Sequence, residues 1–417
     1  MENMKRKKLT SDEEQHLIGH IIRYERTKDN IKLCELASSI NKSKQYLSEI
    51  ENGSKKISYS TIIEIFNKLN IEFKFEYSEA VDEYFFEFSE LFYFHDLANA
   101  KNKLRQISYN KNFKYSWNYP SVILSQYILD AMEYQNDINP EELENLYSLL
   151  SKSQQTLYYF FRATLEYSVK NDKESIKFYE CANETVGSIP SYQAIINTGL
   201  ALVYDRNNCL LKAIDYNQQA YLQFTSHNNT ERAIACELHI GNEYSKLFFL
   251  DMAIEQYKIT LRDAKRFNVL RIIDLVYRNL AVSYLYNDDY TDAIMIALDG
   301  IKVVKNPAVL YYVLSWSYYE LHKKQLSIRY LEKLKELDNR TPYLEKIILI
   351  QTIKMNYGKC AKEYIEVLLD FYNYNLENEM AAEQIFSLNL IVEFFDLKKD
   401  YKNAYLYSSI LLKYYRN

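Results

Sequence analysis

Glycine and proline are scarce, at 7 and 5 of 417 residues. So few turn-formers and helix-breakers argue against a β-rich fold and point to an all-α chain. A glycine-rich phosphate loop has no material here. The 6 His and the 5 Cys (Cys34, Cys181, Cys209, Cys236, Cys360) show no CxxC, HExxH or triad-like setting. No metal, no cofactor and no catalytic residue is therefore expected, and the thiols read as small core fillers in a reducing compartment. No apolar run reaches the roughly 18 residues that span a bilayer. The basic start Met1–Lys8 has no apolar stretch behind it, so no signal peptide is expected. These absences lead to the expectation of a cytoplasmic protein that is not an enzyme and does not engage a membrane.

Aromatic residues are abundant, with 41 Tyr and 20 Phe, and they recur. Ala201, Gly241 and Ala281 are spaced by 40 residues; Tyr204, Tyr244 and Tyr284 follow three on, and Ala213, Ala253 and Ala293 twelve on. A small–Tyr–small pattern at fixed period marks stacked helical hairpins, in which small side chains let neighbouring helices approach. Weaker copies appear at Ala163, Ser175, Tyr179 and Ala182, at Ser315, Tyr318, Ser327, Leu331 and Leu334, and at Phe395 and Ala404. The prolines Pro120, Pro140, Pro190, Pro307 and Pro342 are all expected in the first turn of a helix, where their missing N–H costs nothing. Hairpins are then expected at 78–112, 118–150, 153–186, 190–226, 230–267, 270–304, 306–338, 341–375 and 378–416. Glu76–Phe94, acidic and aromatic without Gly or Pro, reads as a helix that couples the N-terminal part stiffly to the rest.

Charge is uneven, with a net of +3 over residues 1–75 and −8 over the remainder, so any nucleic-acid contact belongs to the head. Ser11 with Glu14 reads as a capping-box start for a helix to Thr27, carrying Leu17, Ile18, Ile21 and Ile22 at helical spacing. Lys32–Ile40 reads as a second helix. Asn41 tolerates the left-handed turn that follows, and Ser43 caps a third helix over Lys44–Glu51. That helix would bury Leu47 and Ile50 and leave Lys44, Gln45, Ser48 and Glu49 outward. A fourth helix is expected from Tyr59 to Leu69. Two short helices about a tight turn make a helix-turn-helix unit.

Ile18-Gly19-x-x-Ile22-Arg23-x-x-Arg26, then Glu35-Leu36-Ala37, then Ser43-x-x-Tyr46-Leu47-Ser48-x-Ile50-Glu51-Asn52-Gly53 resembles the Xre/phage-repressor family of DNA-binding domains. The resemblance implies that Lys44, Gln45, Tyr46 and Ser48, with Ser43 at the cap, face the major groove of double-stranded promoter DNA. It also implies phosphate contacts from Arg23, Arg26, Lys42, Lys55 and Lys56. Glu49 is either an acceptor from cytosine or a surface charge. Two positions depart from the family pattern: Lys32-Leu33 stand where Thr-Gln is common, and Lys42 where an apolar residue is usual.

The hairpin pattern in turn resembles the tetratricopeptide family, with the period lengthened from about 34 to about 40 residues. That resemblance implies a right-handed superhelix with a concave groove. Arg206, His239, Asn242, Lys246, Arg278, Asn279, Tyr286, Tyr312, Trp316 and Tyr319 are the expected groove residues. Asn supplies a donor and an acceptor to a peptide backbone, and Arg or Lys a carboxylate partner. The plainer reading makes Tyr286, Tyr312 and Trp316 inter-repeat core, and Arg206, Lys246 and Arg278 solvated surface. The domains expected are a helix-turn-helix domain at 1–75, a linker helix and first hairpin at 76–112, and a repeat domain at 113–417. Head and array together resemble the Rgg/PlcR/NprR-type regulators. That resemblance implies a homodimeric quorum-sensing transcription regulator controlled by a short signalling peptide. The alternative is a protein-interaction adaptor whose array grips a protein partner while the head serves for docking.

Overall fold

The computed structural model describes residues 11–133, 141–188, 192–338 and 340–414. Among these, all regular structure is helical: no strand forms, and Lys74 and Ser116 share one isolated bridge. Contacts divide the chain into two compact units, 1–199 and 200–417.

The first unit begins with four helices: α1 (Ser11–Lys28), α2 (Leu33–Ser39), α3 (Lys44–Glu51) and α4 (Tyr59–Lys68). Leu17, Ile18, Ile21 and Ile22 of α1 close on Leu36, Ala37, Leu47, Ile50, Ile65 and Phe66, as the helical spacing requires. The Ser43 hydroxyl accepts from the Tyr46 amide at 3.0 Å and starts α3. The turn before it places Asn41 at φ 53°. α1 already includes Ser11, so the residue that would cap it lies outside the described residues.

Gly19 is demanded by packing. A Cβ there would sit 2.2 Å from the carbonyl oxygen of Ile50. Gly19→Ala is expected to push α3 off α1 and destabilise the head by about 2 kcal/mol, which thermal unfolding of the variant checks.

The helix expected over Glu76–Phe94 forms from Ala80 to Tyr93, and an extended segment precedes it. Residues 71–78 run without helical structure, and α5 (Ala80–Tyr93) begins only at Ala80. Phe73, Phe75 and Trp117 pack edge to face, with centroids 4.8–5.9 Å apart, and the Lys74 amide donates to Tyr115 O at 2.7 Å. Tyr119, Leu146 and Leu149 complete the apolar cluster of the head. An extended aromatic strap and a shared apolar cluster thus tie the head to residues 115–149.

Hairpins follow as expected in the rest of this unit: α5 with α6 (Leu97–Ser108), then a short α7 (Lys111–Lys114), α8 (Tyr119–Met132) with α9 (Glu141–Leu146), and α10 (Lys152–Ser168) with α11 (Asp172–Thr185). α12 (Tyr192–Arg206) carries the chain across the unit boundary. The second unit continues with α13 (Leu210–Ser226), α14 (Thr230–Lys246), α15 (Leu250–Arg266), α16 (Leu270–Tyr286) and α17 (Tyr290–Gly300). It ends with α18 (Ala308–Glu320), α19 (Lys324–Lys335), α20 (Pro342–Tyr357), α21 (Lys362–Glu377), α22 (Ala381–Leu397) and α23 (Tyr401–Tyr414). Pro120 and Pro342 sit in first turns and Pro307 at an N-cap; Pro140 and Pro190 lie outside the described residues.

The small residues of the repeat are small because helices meet there. Ala201, Ala213, Ala253, Ala281 and Ala293 are fully buried, and a Cβ on Gly241 would strike the Tyr257 ring at 2.7 Å. In an outer copy, Ser315 and Ser327 take the same two places and bond each other's carbonyls at 3.1 and 2.6 Å. Scarcity of glycine is met by placing other residues in the left-handed turns between helices, among them Asn208, Phe248, Asn268, Asp288 and His322 at φ 55–60°.

Candidate DNA-reading face and ligand groove

On α3 the side chains fall as helical geometry demands. Lys44 and Gln45 are exposed, Tyr46 and Ser48 are half-buried, and Leu47 is buried. Lys42 and Lys55 place their ammonium groups 5.5 and 4.8 Å from the Tyr46 ring centroid, a cation–π setting. Glu49 accepts from Lys55 at 2.8 Å and from Gln45 at 3.0 Å, and these bonds, Lys55 first, hold its carboxyl below the usual range. Glu49 therefore acts on its neighbours, orienting Gln45, whose amide can read a base edge. Lys56 is exposed just beyond. Ser43 spends its acceptor on the cap.

Arg26 has an internal partner. Its Nε and Nη2 donate to the two carboxylate oxygens of Glu51 at 2.7 and 3.0 Å, and its Nη1 to Ile31 O at 2.8 Å. With side chains 12% and 6% exposed, this fork ties α1 to the end of α3. Its partner Glu51 is the residue that sequence reasoning missed. Arg23 is exposed on the wall of a cavity of about 560 Å³, with His16, His20, Glu142 and Asn145 around it. There His16 Nε2 lies 3.1 Å from Asn145 O, and Tyr119 donates to Glu142 at 2.6 Å.

In the second unit the expected groove residues divide into a polar and an aromatic set. Asn279 Nδ2 and Tyr257 OH both donate to Asn242 Oδ1, each at 2.8 Å, so one amide oxygen joins α14, α15 and α16. The pair stays half-buried. Lys246 forks onto both oxygens of Asp205 at 2.7 Å, and Arg278 donates to Asp274 one turn back at 2.8 Å. Arg206 and His239 are half-buried, and burial lowers the His239 pKa. Lys246 and Arg278 are therefore not bare cations; a ligand carboxylate has to compete with an internal one.

Between these groups lies a carboxyl the sequence did not single out. Glu243 is buried and accepts from Asn217 at 2.8 Å. Burial, helped by Asp205, pushes its pKa up to about 8. The unfolded chain releases this proton near the ordinary carboxyl value, so between about pH 5 and pH 8 the folded state binds more protons. Stability contributed here falls as pH rises through that window and is flat above it. Glu243→Gln should stabilise the protein at pH 8 by on the order of 3 kcal/mol and flatten the slope. Urea midpoints at pH 5 and pH 8 measure this.

The aromatic set is buried, as the plainer reading has it. Tyr286, Tyr312 and Trp316 are 7%, 1% and 2% exposed. Tyr286 stacks on Phe386 of α22 with centroids 4.3 Å apart and reaches Tyr343 OH at 3.2 Å. Trp316 lies 5.4 Å from Phe386 and meets Tyr312 edge to face. Residues expected to face a ligand are thus covered by the chain's own later hairpins. Tyr319 is half-buried and donates to Lys354 O at 3.2 Å. The Lys354 ammonium, itself fully buried, stands 3.9 Å from the Trp316 ring and pairs with Glu320. Burial pushes its pKa down to about 8.

A helix-turn-helix family model matches residues 22–75. The head is a helix-turn-helix domain. The transcriptional activator NprA of Geobacillus stearothermophilus is 22% identical to the chain over 311 residues, covering 70% of this chain and 73% of NprA. Two solved structures superpose with a TM-score of 0.60. The apo form of RapI, 13% identical, matches across 81% of this chain and 96% of its own. The apo form of the quorum sensor NprR from B. thuringiensis, 16% identical, matches across 81% and 99%. The hairpins that follow the head are thus a fold that the chain shares with RapI and NprR.

Proposed function

We propose that the chain is a cytoplasmic transcription regulator. Its helix-turn-helix head reads promoter DNA, and a short signalling peptide in the hairpin groove controls that reading. The observation that carries this is the outer face of α3, where Lys44 and Gln45 are exposed and Gln45 is held by a Glu49 that Lys55 anchors. Lys42, Lys55 and Lys56 flank it as phosphate contacts. NprA is a transcriptional activator and NprR a quorum sensor, which supports the regulatory reading. Asn242 and Asn279, joined side by side, leave an amide N–H of one and a carbonyl of the other for a peptide backbone.

One small head reads few base pairs, so a homodimer is part of the proposal. The exposed Tyr401, Tyr405, Leu406 and Leu412 of α23 supply an apolar face for it. The domain limits proposed are those of the sequence: 1–75, 76–112 and 113–417. The test is a titration of DNA from upstream of its own gene at rising salt. Affinity is expected to fall by about 10³-fold or more between 50 and 200 mM salt, as phosphate neutralisation by several lysines requires. A flat salt profile points instead to an adaptor that binds a protein partner.

A further inference from the structure

α22 belongs to the last hairpin, yet it returns to α14, four hairpins upstream in the same unit. Two side chains one turn apart on α22 point into the region where a ligand is expected. Phe386 stacks on Tyr286 at 4.3 Å, with ring planes 18° apart, and lies 5.4 Å from Trp316. Glu383 sits within electrostatic range of Lys246, Tyr257 and Tyr343. The contact is not wholly apolar. The hydroxyls of Tyr286, Tyr312 and Tyr343 gather beside these rings, and Glu383 is a carboxyl whose pKa burial raises. Hydroxyls and a carboxyl gathered beside stacked rings offer partners that an exchangeable occupant can also use.

We propose that the first two turns of α22 are an internal occupant of the groove, and that the ligand displaces them by presenting an aromatic ring to Tyr286 and Trp316 beside a carboxylate directed at Lys246. This deepens the reading of the hairpin groove as a peptide site and rests on it. The ligand chemistry is an acidic, aromatic oligopeptide, its carboxylate coming from a side chain or from the C-terminus. Exchange of α22 for the ligand frees the last hairpin from α14, which gives ligand binding a structural consequence.

The test uses the full chain with Trp117→Phe, so that Trp316, one of two tryptophans, reports the ring box alone. Phe386→Ala is expected to move the Trp316 emission to longer wavelength, while Phe386→Leu, which keeps the bulk, moves it less. The probe is a synthetic amidated peptide copying residues 381–390. It should bind the Phe386→Ala chain about ten-fold or more tighter than the parent, because an occupied groove lowers apparent affinity by the fraction that is open. The same peptide with Phe386→Ala should not bind. A Glu383→Gln peptide should bind weakly when amidated, and recovery with a free C-terminal carboxylate assigns the terminal source. Unchanged emission in Phe386→Ala, or equal peptide affinity for both chains, overturns the proposal. Operator binding is measured on the same variants. DNA recognition that persists beside a silent box sinks this inference alone, and an opening box without DNA recognition sinks the regulatory reading alone.

Discussion

Replacing Lys44 and Gln45 together by alanine leaves the head folded and removes sequence-selective DNA binding. Both side chains are exposed on α3 and contribute nothing to the cluster of Leu47, Ile50, Ile21 and Ile22 beneath them. Stability should therefore stay within the small range of surface substitutions. A base contact of this kind is worth about 1–3 kcal/mol, so losing both costs about 100-fold or more in operator affinity, with non-specific binding much less affected. Anisotropy titrations on operator and scrambled duplexes, beside a thermal melt, separate the two effects. Operator affinity preserved in the double variant contradicts the assignment of α3.

Arg26→Ala acts through the fold instead. Removing the guanidinium leaves the Glu51 carboxylate buried and unpaired at the end of α3 and strips Ile31 O of its donor. Loss of one partner from such a pair is expected to cost about 3 kcal/mol. DNA affinity falls as a consequence, because the reading helix is no longer tied to α1. Denaturant midpoints should drop in Arg26→Ala and in Glu51→Ala by similar amounts, and the double variant should lose far less than their sum. A phosphate-contacting Arg26 would lower DNA affinity with stability intact.

The fate of Arg26 shows where sequence reading stops. Spacing placed it on α1 beside Arg23, and both looked like surface cations. Its partner lies 25 residues on, and nothing in the local pattern says which arginine meets it. The hairpins were legible for the opposite reason: Ala201, Gly241 and Ala281 repeat because each touches the next helix, so a purely local pattern encodes the packing. Ala213, Ala253 and Ala293 follow the same logic.

The groove was legible only in part. Asn242 and Asn279, each expected near the groove, bond to one another, a pairing the 40-residue period does not give. How far the later hairpins coil back is a sum of small rotations that no single residue announces, so the covering of Tyr286 and Trp316 by Phe386 was not readable. Nor was the strap at 71–78, where Phe73, Phe75 and Trp117 find partners across a bend. The helix expected over Glu76–Phe94 begins only at Ala80, because residues 76–78 still belong to that strap.

The central claim, that a ligand of the array governs what the head does on DNA, meets its most direct test in one titration. Operator affinity of the full chain is measured with and without the low-molecular-mass peptide fraction of a culture that carries the gene. A shift of about 5–150-fold is expected, the range that allosteric coupling of about 1–3 kcal/mol supplies. Affinity identical in both titrations, or no preference for the operator over scrambled duplex in either, contradicts the account.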